Sequence, residues 1–192
     1  MRKFISTSVE KLRPSGIRRY FDIAATMEDV VTLGIGEPAF TTPDHIMEAG
    51  IASLRAGRTG YTNNSGDIEL RHAISDYIAR LYNVYYEPED QILVTVGVSE
   101  ALWLALKAIT NPGDEILVVE PCFVANAAAV EMVGGVPIMV QTSVENDFQV
   151  TGADLEAHIT PKTKAILMSY PNNPTGAILT KTQMLQVAEI AE

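Results

Sequence analysis

The sequence is poor in cysteine and has no long apolar run. Cys122 is the sole cysteine among 192 residues, so one chain can form neither an internal disulfide nor a zinc site of several cysteines. No apolar segment approaches the roughly 20 residues that a membrane-spanning helix needs, and Met1–Ser6 has no apolar signal core after its two basic residues. We therefore expect a cytoplasmic protein. The better explanation of Cys122 is a small buried packing residue, and the alternative is a reactive thiol.

Basic residues are also few. Lys and Arg together number 14 against 24 Asp and Glu, which gives a formal net charge of −10. The basic residues are scattered, whereas a nucleic-acid-binding protein usually presents a basic patch. The expected partners are therefore small molecules or another subunit. With 47% hydrophobic and 20% charged residues, the chain has the composition of a globular protein with one sizeable core.

Apolar residues at helical spacing predict several helices. Thr42-Pro43-Asp44 is a typical helix start, and a helix beginning there would end near Gly57. From Asp67 onward, apolar residues recur at three- and four-residue spacing, which predicts an amphipathic helix that ends near Asn83. The segment 98–109 is apolar almost all round and predicts a deeply buried helix.

Short apolar runs of strand character alternate with helical segments. The four runs are Ile92–Val96, Glu115–Val119, Pro137–Gln141 and Ala165–Ser169. Helices are predicted between them over 123–133, which precedes two glycines, and over 151–158, where Thr151 and Asp154 resemble a capping pair. This alternation predicts parallel strands joined by right-handed crossovers.

A final amphipathic helix is predicted over 180–192. It ends without glycine, proline or another stop signal. A parallel sheet that stopped there would also have an open edge and an uncovered face. We therefore expect the chain to be interrupted rather than finished.

Ligands of an open parallel sheet bind at the carboxyl ends of its strands, and three loops at such ends contain suitable residues. In Thr95–Glu100, a strand turns through glycine into a helix. The backbone N–H groups of Val98 and Ser99, the Ser99 hydroxyl and the helix dipole could together hold a phosphate. The alternative is a tight turn in which Ser99 caps the helix.

The other two loops offer an aromatic ring and an amide. Phe123 follows Glu120-Pro121-Cys122, where it could stack on a flat heteroaromatic ring or belong to the core. In Ser169–Gly176, two prolines restrict the backbone around two asparagines, so an amide there can donate to a ligand oxygen in a fixed direction. The alternative is that this segment is only a turn. Together the loops would supply a phosphate site, a stacking face and an amide donor at one sheet edge.

With these loops, the sequence resembles the class I aminotransferases of the aspartate aminotransferase superfamily. These are fold type I enzymes whose cofactor is pyridoxal 5′-phosphate. The resemblance runs from about Ser15 to the C-terminus and corresponds to the N-terminal half of such an enzyme. Its motifs are Leu33-Gly34-Ile35-Gly36-Glu37-Pro38, Phe40-Thr41-Thr42-Pro43, Tyr61-Thr62 with Gly66, Leu70-Arg71, Thr95-Val96-Gly97-Val98-Ser99-Glu100-Ala101-Leu102, Asn111-Pro112-Gly113-Asp114 and Asn172-Asn173-Pro174-Thr175-Gly176. So many ordered motifs at family-like spacing make a chance resemblance implausible.

The resemblance implies roles for residues of all three loops. Val98 and Ser99 would bind the cofactor phosphate. Phe123 would stack on the pyridine ring, and Asn173 would hydrogen-bond the phenolic oxygen of that ring.

The resemblance also implies a substrate site and a second subunit. Gly36 matches a glycine whose backbone lies beside the substrate carboxylate, and Gly36 and Asn173 would form part of the substrate site. Tyr61 matches a tyrosine that reaches the phosphate bound in the neighbouring subunit, so a homodimer with shared active sites is implied. The alternative for Tyr61 is a packed loop tyrosine.

The implied fold is an incomplete three-layer α/β/α large domain with a mainly parallel sheet. Residues 1–41 would form an N-terminal arm and part of the small domain. Residues 42–192 would form part of the large, cofactor-binding domain, truncated at its C-terminus.

Two departures from the family matter. Asn126 stands where many relatives have a second aromatic residue. The acid that pairs with the pyridine nitrogen, a tyrosine, the lysine that binds the cofactor covalently, and arginines for the phosphate and the substrate carboxylate would all fall beyond Glu192. Lys107 would lie about 12 Å beyond Ser99 along its helix. The lysines, none of which follows a predicted strand end, are Lys3, Lys11, Lys107, Lys162, Lys164 and Lys181. We therefore assign no catalytic residue.

The resemblance implies that the full-length protein transfers an amino group between an aromatic or aspartate-like L-amino acid and a 2-oxo acid, and that these 192 residues alone are inactive. One alternative is a non-catalytic cofactor-binding fragment or regulatory remnant, for which the reading frame would stop at Glu192. Another is a different pyridoxal-phosphate-dependent lyase or synthase of the same fold. The Asn-Pro-Thr-Gly context favours transamination over the latter.

Overall fold

The computed structural model describes residues 4–12, 16–31, 36 and 38–192. The chain divides into two compact units, one comprising Met1–Pro14 with Val96–Glu192 and the other Ser15–Thr95. The predicted division between residues 41 and 42 stays a prediction. In chain order the elements are α1 (Thr7–Lys11), α2 (Ile17–Ala24), α3 (Asp44–Arg55), α4 (Ile68–Tyr82), α5 (Gly97–Ile109), β1 (Glu115–Glu120), α6 (Ala125–Met132), β2 (Val136–Gln141), α7 (Gly152–Glu156), β3 (Thr163–Leu167) and α8 (Lys181–Ala191).

Helices α3 and α4 confirm the predictions from spacing and caps. α3 begins directly after Pro43 and ends at Arg55, whose positive charge suits the negative end of the helix dipole. α4 is capped by Asp67, whose carboxylate accepts a hydrogen bond from the Glu69 N–H at 2.8 Å. It ends at Asn83, which has a φ of 55° in the left-handed region.

The strand predicted at Ile92–Val96 is wrong. These residues form irregular chain, in which the Val94 N–H donates to the Ser65 carbonyl at 3.0 Å. The same segment lies against Gly66, where an added Cβ would stand 2.6 Å from the Cβ of Val94. A strand requires a ladder of hydrogen bonds to a neighbouring backbone, and residues 92–96 form no such ladder. Apolar composition alone therefore did not identify a strand.

A buried arginine connects α4 to the loop that follows it. Arg71 is 4% exposed, and its Nη1 donates to the carbonyls of Pro88 at 2.7 Å and Glu89 at 3.0 Å. One turn further, the Ser75 hydroxyl donates to the Tyr86 carbonyl at 2.5 Å. A buried guanidinium is tolerated where oxygen atoms accept its protons. These contacts give Arg71 a structural role within Ser15–Thr95.

Replacing Arg71 by methionine is expected to lower the free energy of unfolding by about 3 kcal/mol, because two hydrogen bonds from a charged donor are lost and two carbonyls lose that partner. Methionine keeps an unbranched apolar stem, so the loss of packing is small. The matched control is Arg80→Met on the same helix. Arg80 is exposed and lies 5.7 Å from the centroid of the Tyr77 ring, and its replacement should cost less than about 1 kcal/mol. Urea denaturation measures both, and equal losses would contradict the role of Arg71.

The other unit contains a three-stranded parallel sheet in the order β2-β1-β3. In the central strand, Leu117 pairs with Ile138 on one side and Ile166 on the other. Both faces of this sheet are covered, which explains why its strands are continuous apolar runs rather than alternating ones. The predicted parallel α/β alternation is confirmed, with β3 beginning at Thr163, two residues before the predicted start.

Helices cover the sheet on both faces. Successive residues of a strand point to opposite faces, so neighbouring residues of β1 belong to different apolar clusters. The face covered by α5 and α6 buries Leu106, Ile116, Val118, Val130 and Val133. The face covered by α7 and α8 buries Leu117, Val119, Val140, Val150, Leu155 and Val187. The predicted three-layer α/β/α arrangement is confirmed.

Helix α5 is less buried than its composition predicts. Leu106 is the buried residue of this helix, whereas Val98, Trp103 and Ile109 are exposed. The prediction of a deeply buried helix is therefore wrong. A helix that lies on a sheet buries only the stripe of residues that faces the sheet. The remaining apolar side chains of α5 are partly or largely exposed to solvent.

Side-chain caps fix the starts of α7 and α8. At α7 the Thr151 N–H donates to the Asp154 carboxylate at 2.9 Å in a capping box, as predicted, although the helix ends at Glu156 rather than at residue 158. At α8 the Thr180 N–H donates to the Gln183 side chain at 2.8 Å in the same arrangement. No helix in the described ranges is long and apolar enough to cross a membrane.

Candidate cofactor-binding site

The three predicted loops meet at one cavity. β1 and β3 are adjacent and parallel, so the segments that follow them leave the same edge of the sheet. The N-terminus of α5 reaches the same cavity, which has a volume of about 490 Å³. Its lining residues are Val98, Ser99, Leu102, Phe123, Asn126, Leu167, Met168, Ser169 and Asn173. Four of the residues assigned to the cofactor, Val98, Ser99, Phe123 and Asn173, are thus brought together.

The N-terminus of α5 is suited to an anion. Gly97 turns the chain into the helix with a φ of 78°, which favours glycine. The side chain of the cap residue, Val96, makes no capping hydrogen bond, and its N–H donates to the Glu100 carboxylate at 2.5 Å. Ser99 lies inside the first turn, so the alternative that it caps the helix is wrong. The N–H groups of Val98 and Ser99 have no carbonyl partner within the helix and can bind a phosphate.

Phe123 forms one wall of the cavity. It is 44% exposed, so the alternative that it belongs to the core is wrong. The loop before it is fixed to the segment after β2, because the Glu120 carbonyl accepts from the Thr142 N–H at 2.8 Å and from its hydroxyl at 2.6 Å. On the other side, the Asn126 N–H donates to the Phe123 carbonyl at 3.0 Å. An aromatic ring held in this way is available for stacking on a flat ligand.

Two neighbouring asparagines have opposite environments. Asn172 is 7% exposed and is hydrogen-bonded within the protein, whereas Asn173 is exposed and lines the cavity. The segment is also a turn, since the Gly176 N–H donates to the Asn172 carbonyl at 2.8 Å and Gly176 has a φ of 75°. Being a turn does not conflict with binding, because the turn itself presents the Asn173 amide.

Cys122 directly precedes Phe123 but is not an activated thiol. It is partly buried and packs against the cluster under α5 and α6, as expected of a small filler. Burial, followed by the negative charge of Glu120, raises the pKa of Cys122, and a hydrogen bond with Asn126 opposes that rise. The thiolate, which is the reactive form, is therefore disfavoured at neutral pH.

Sequence reasoning missed three apolar residues of the cavity, Leu102, Leu167 and Met168. Leu102 lies three residues after Ser99 on α5, so helical spacing could have identified it. Met168 follows β3 directly and also packs against the cluster under α7 and α8. Nothing in the sequence distinguishes Met168 from an ordinary core residue.

No lining residue of the cavity carries a formal charge. A phosphate there would be held by neutral N–H and O–H donors and by the helix dipole. Lys164, predicted to precede a strand, lies within β3 and lines a different cavity. The lining therefore fits the phosphate, ring and phenolic oxygen of pyridoxal phosphate but offers no amine for covalent attachment. Among the described residues, no group of three or more His, Cys, Asp or Glu could hold a metal.

Tyr61 and Gly36 belong to the unit Ser15–Thr95, and their assigned roles stay predictions. The Tyr61 side chain is fully exposed, so the alternative of a packed loop tyrosine is wrong. Gly36 is exposed, and an added Cβ would meet no atom within 4 Å. Packing among the described residues therefore does not explain a glycine at this position.

A three-layer α/β/α domain with such a cavity at the carboxyl edge of its sheet has the architecture of a pyridoxal-phosphate-dependent transferase domain. Residues 28–192 match the profile of the family "Aminotransferase class I and II". YugH of Bacillus subtilis is 47% identical over 192 residues, which are 100% of this chain and 50% of that protein. Aromatic-amino-acid aminotransferase 2 of Thermococcus litoralis is 40% identical over 97% of this chain and 48% of its own length. The solved structure of Thermus thermophilus aspartate aminotransferase with maleate superposes with a TM-score of 0.91 at 36% identity, covering 100% of this chain and 50% of that one.

The chain belongs to the class I and II aminotransferase family. It spans about half the length of the curated relatives it matches, and the match corresponds to their N-terminal half. The resemblance identified from the sequence motifs is therefore confirmed.

Proposed function

We propose that this chain is the cofactor-holding half of a pyridoxal-phosphate-dependent aminotransferase, and that the full-length protein transfers an amino group between an L-amino acid and a 2-oxo acid. The observation that carries the proposal is the cavity in which the N-terminus of α5, Phe123 and Asn173 meet. Membership of the aminotransferase family supports it.

Each part of the cofactor has a matching group in the cavity. The N–H groups of Val98 and Ser99 and the Ser99 hydroxyl bind the phosphate, because a helix N-terminus favours an anion. The Phe123 ring packs on a face of the pyridine ring, and the Asn173 amide donates to the phenolic oxygen. When bound, the cofactor supplies the electron sink for the substrate carbon that loses its proton. This chain's own contribution is binding and orientation.

Proton transfer requires groups that the cavity lining lacks. The lining contains no lysine, carboxylate or histidine. The amine that binds the cofactor and moves the proton, and the acid that keeps the ring nitrogen protonated, come from other parts of the full-length protein. We expect the 192 residues alone to bind the cofactor weakly and to be inactive.

For the donor, we propose an aromatic or aspartate-like amino acid, with 2-oxoglutarate as the acceptor. One relative is named for aromatic amino acids and others for aspartate. Gly36 places its backbone beside the α-carboxylate, and Asn173 contributes its amide to the substrate side of the site. Asn126, buried in the cavity wall, makes that wall more polar than the aromatic residue of many relatives.

We also propose that the full-length protein is a cytoplasmic homodimer with shared active sites. The fully exposed Tyr61 side chain supports this, because a large aromatic residue on the surface is available to a second subunit. In the dimer, its hydroxyl donates to the phosphate bound by the neighbouring subunit.

The first test is the intact mass of the protein expressed from its whole reading frame, after incubation with pyridoxal phosphate and reduction with borohydride. Reduction locks a lysine-bound cofactor into a stable adduct. We expect a mass well above the 20.9 kDa of these residues and one adduct at one lysine outside them. Assays of amino-group transfer from aspartate and from aromatic amino acids to 2-oxoglutarate would then rank the substrates.

A second outcome would overturn the catalytic proposal. If the whole reading frame gives an unmodified protein of 20.9 kDa, the chain is a cofactor-binding remnant. An adduct without amino-group transfer would instead favour a lyase or synthase of the same fold.

A further inference from the structure

The loop after β1 and the loop after β3 are joined by one buried side chain. Asn172 is 7% exposed, and its Nδ2 donates to the Pro121 carbonyl at 2.9 Å. Pro121 lies two residues before Phe123, the aromatic wall of the cavity, and Asn172 directly precedes Asn173, the amide of the opposite wall. This hydrogen bond thus connects the loop that carries Phe123 to the loop that carries Asn173.

The rest of Asn172 is fixed within its own loop. Its Oδ1 accepts from the Thr175 N–H at 3.1 Å and from the Thr175 hydroxyl at 2.9 Å. Its backbone N–H donates to the Ala177 carbonyl at 2.8 Å, and its carbonyl accepts from the Gly176 N–H at 2.8 Å. The amide therefore accepts inside the loop and donates across to Pro121, which restricts it to one orientation.

A second side chain anchors the start of the same loop. The Tyr170 hydroxyl donates to the Phe148 carbonyl at 2.9 Å and accepts from the Val150 N–H at 3.1 Å. This anchor fixes the loop to the segment after β2, not to the loop that carries Phe123. Asn172, unlike Tyr170, therefore makes a direct hydrogen bond between the loop of Phe123 and the loop of Asn173.

We infer that Asn172 is a positioning residue, which sets the gap between Phe123 and Asn173 so that a flat hydroxypyridine ring stacks on one and receives a hydrogen bond from the other. The inference rests on the proposed function. Asn172 itself touches no cofactor atom in this arrangement, because its amide is already used by Pro121 and Thr175.

The chemistry of the contact suggests a selective variant. In Asn172→Asp, the carboxylate still accepts from the Thr175 N–H and hydroxyl, but it has no proton for the Pro121 carbonyl and repels that oxygen. The bond between the loops is lost while the bonds within the loop remain. The matched control is Thr175→Val, which removes both hydroxyl bonds inside the loop, the one donated to Asn172 and the one accepted from the Ala177 N–H, and leaves the Pro121 contact intact.

The test uses the full chain and two non-covalent probes, pyridoxine 5′-phosphate and its analogue without the 3-hydroxyl, with binding measured by calorimetry. The wild type is expected to prefer the hydroxylated probe about tenfold, the value of one hydrogen bond. Asn172→Asp should reduce this preference to about onefold or twofold, because the Asn173 amide no longer meets the hydroxyl. Thr175→Val should keep the wild-type preference.

The ratio of affinities separates positioning from general damage, because a merely destabilised protein loses affinity for both probes alike. If Asn172→Asp folds and keeps the tenfold preference, the inference is overturned while the proposed function stands. If the wild type binds neither probe, the proposed cofactor site fails and the inference with it. If the aspartate variant does not fold, Asn172→Ser removes the long amide without burying a charge and carries the same expectation.

Discussion

Replacing Ser99 by aspartate is expected to abolish binding of the cofactor phosphate without weakening the fold. Ser99 is exposed in the first turn of α5, where a carboxylate interacts favourably with the helix dipole by about 0.3–1 kcal/mol. The same carboxylate repels a phosphate at about 4 Å by about 4 kcal/mol near a protein surface, which lowers affinity on the order of 100-fold or more. Stability and binding should therefore change in opposite directions.

The control for this prediction is Ser99→Ala, which removes the hydroxyl donor but leaves the backbone N–H groups. It should weaken binding only about tenfold, the value of one hydrogen bond to a charged group. Equilibrium dialysis with pyridoxine 5′-phosphate measures affinity, and thermal melting monitors the fold. Unchanged affinity in Ser99→Asp would show that Ser99 does not contact the phosphate.

Leu117→Ala is expected to cost about 3–5 kcal/mol of the free energy of unfolding, the largest stability effect anticipated for this chain. Leu117 is fully buried in the central strand and packs in the cluster that includes Leu155 and Val187. Both neighbouring strands pair with β1 at this residue, so the cavity left by the missing methyl groups cannot collapse easily.

The matched substitution is Leu185→Ala on α8, where the leucine is 53% exposed. It removes the same atoms but little buried area, and alanine favours helix, so the cost should be below about 1 kcal/mol. Urea denaturation followed by circular dichroism compares the two. A loss for Leu117→Ala no larger than for Leu185→Ala would mean that the cluster under α7 and α8 does not stabilise the protein.

Local signals predicted the starts of several helices well. The starts of α3, α4 and α7 follow from Pro43, Asp67 and the pair Thr151 and Asp154, because caps and spacing act within a few residues of the chain. The parallel sheet followed from the alternation of apolar runs with helices, since such crossovers leave few other topologies.

Predictions that depended on distant neighbours were less successful. Ile92–Val96 has the composition of a strand but no ladder, and α5 has the composition of a buried helix but only one buried residue. Whether residues 92–96 form a strand, and how much of α5 is buried, depends on which other segments of the chain pack against them. Composition reports how apolar a segment is and not which partner covers it.

The motifs alone determined the family and the candidate residues Val98, Ser99, Phe123 and Asn173. The loops that carry Phe123 and Asn173 follow β1 and β3, and a parallel sheet brings such loops to one edge. Only the tertiary structure decided what the preceding asparagine, Asn172, does. Asn172 and Asn173 have the same side chain and adjacent positions, yet one is buried against Pro121 and the other lines the cavity. That difference arises from the pairing of β1 with β3, which places the two loops side by side so that one amide fills the space between them.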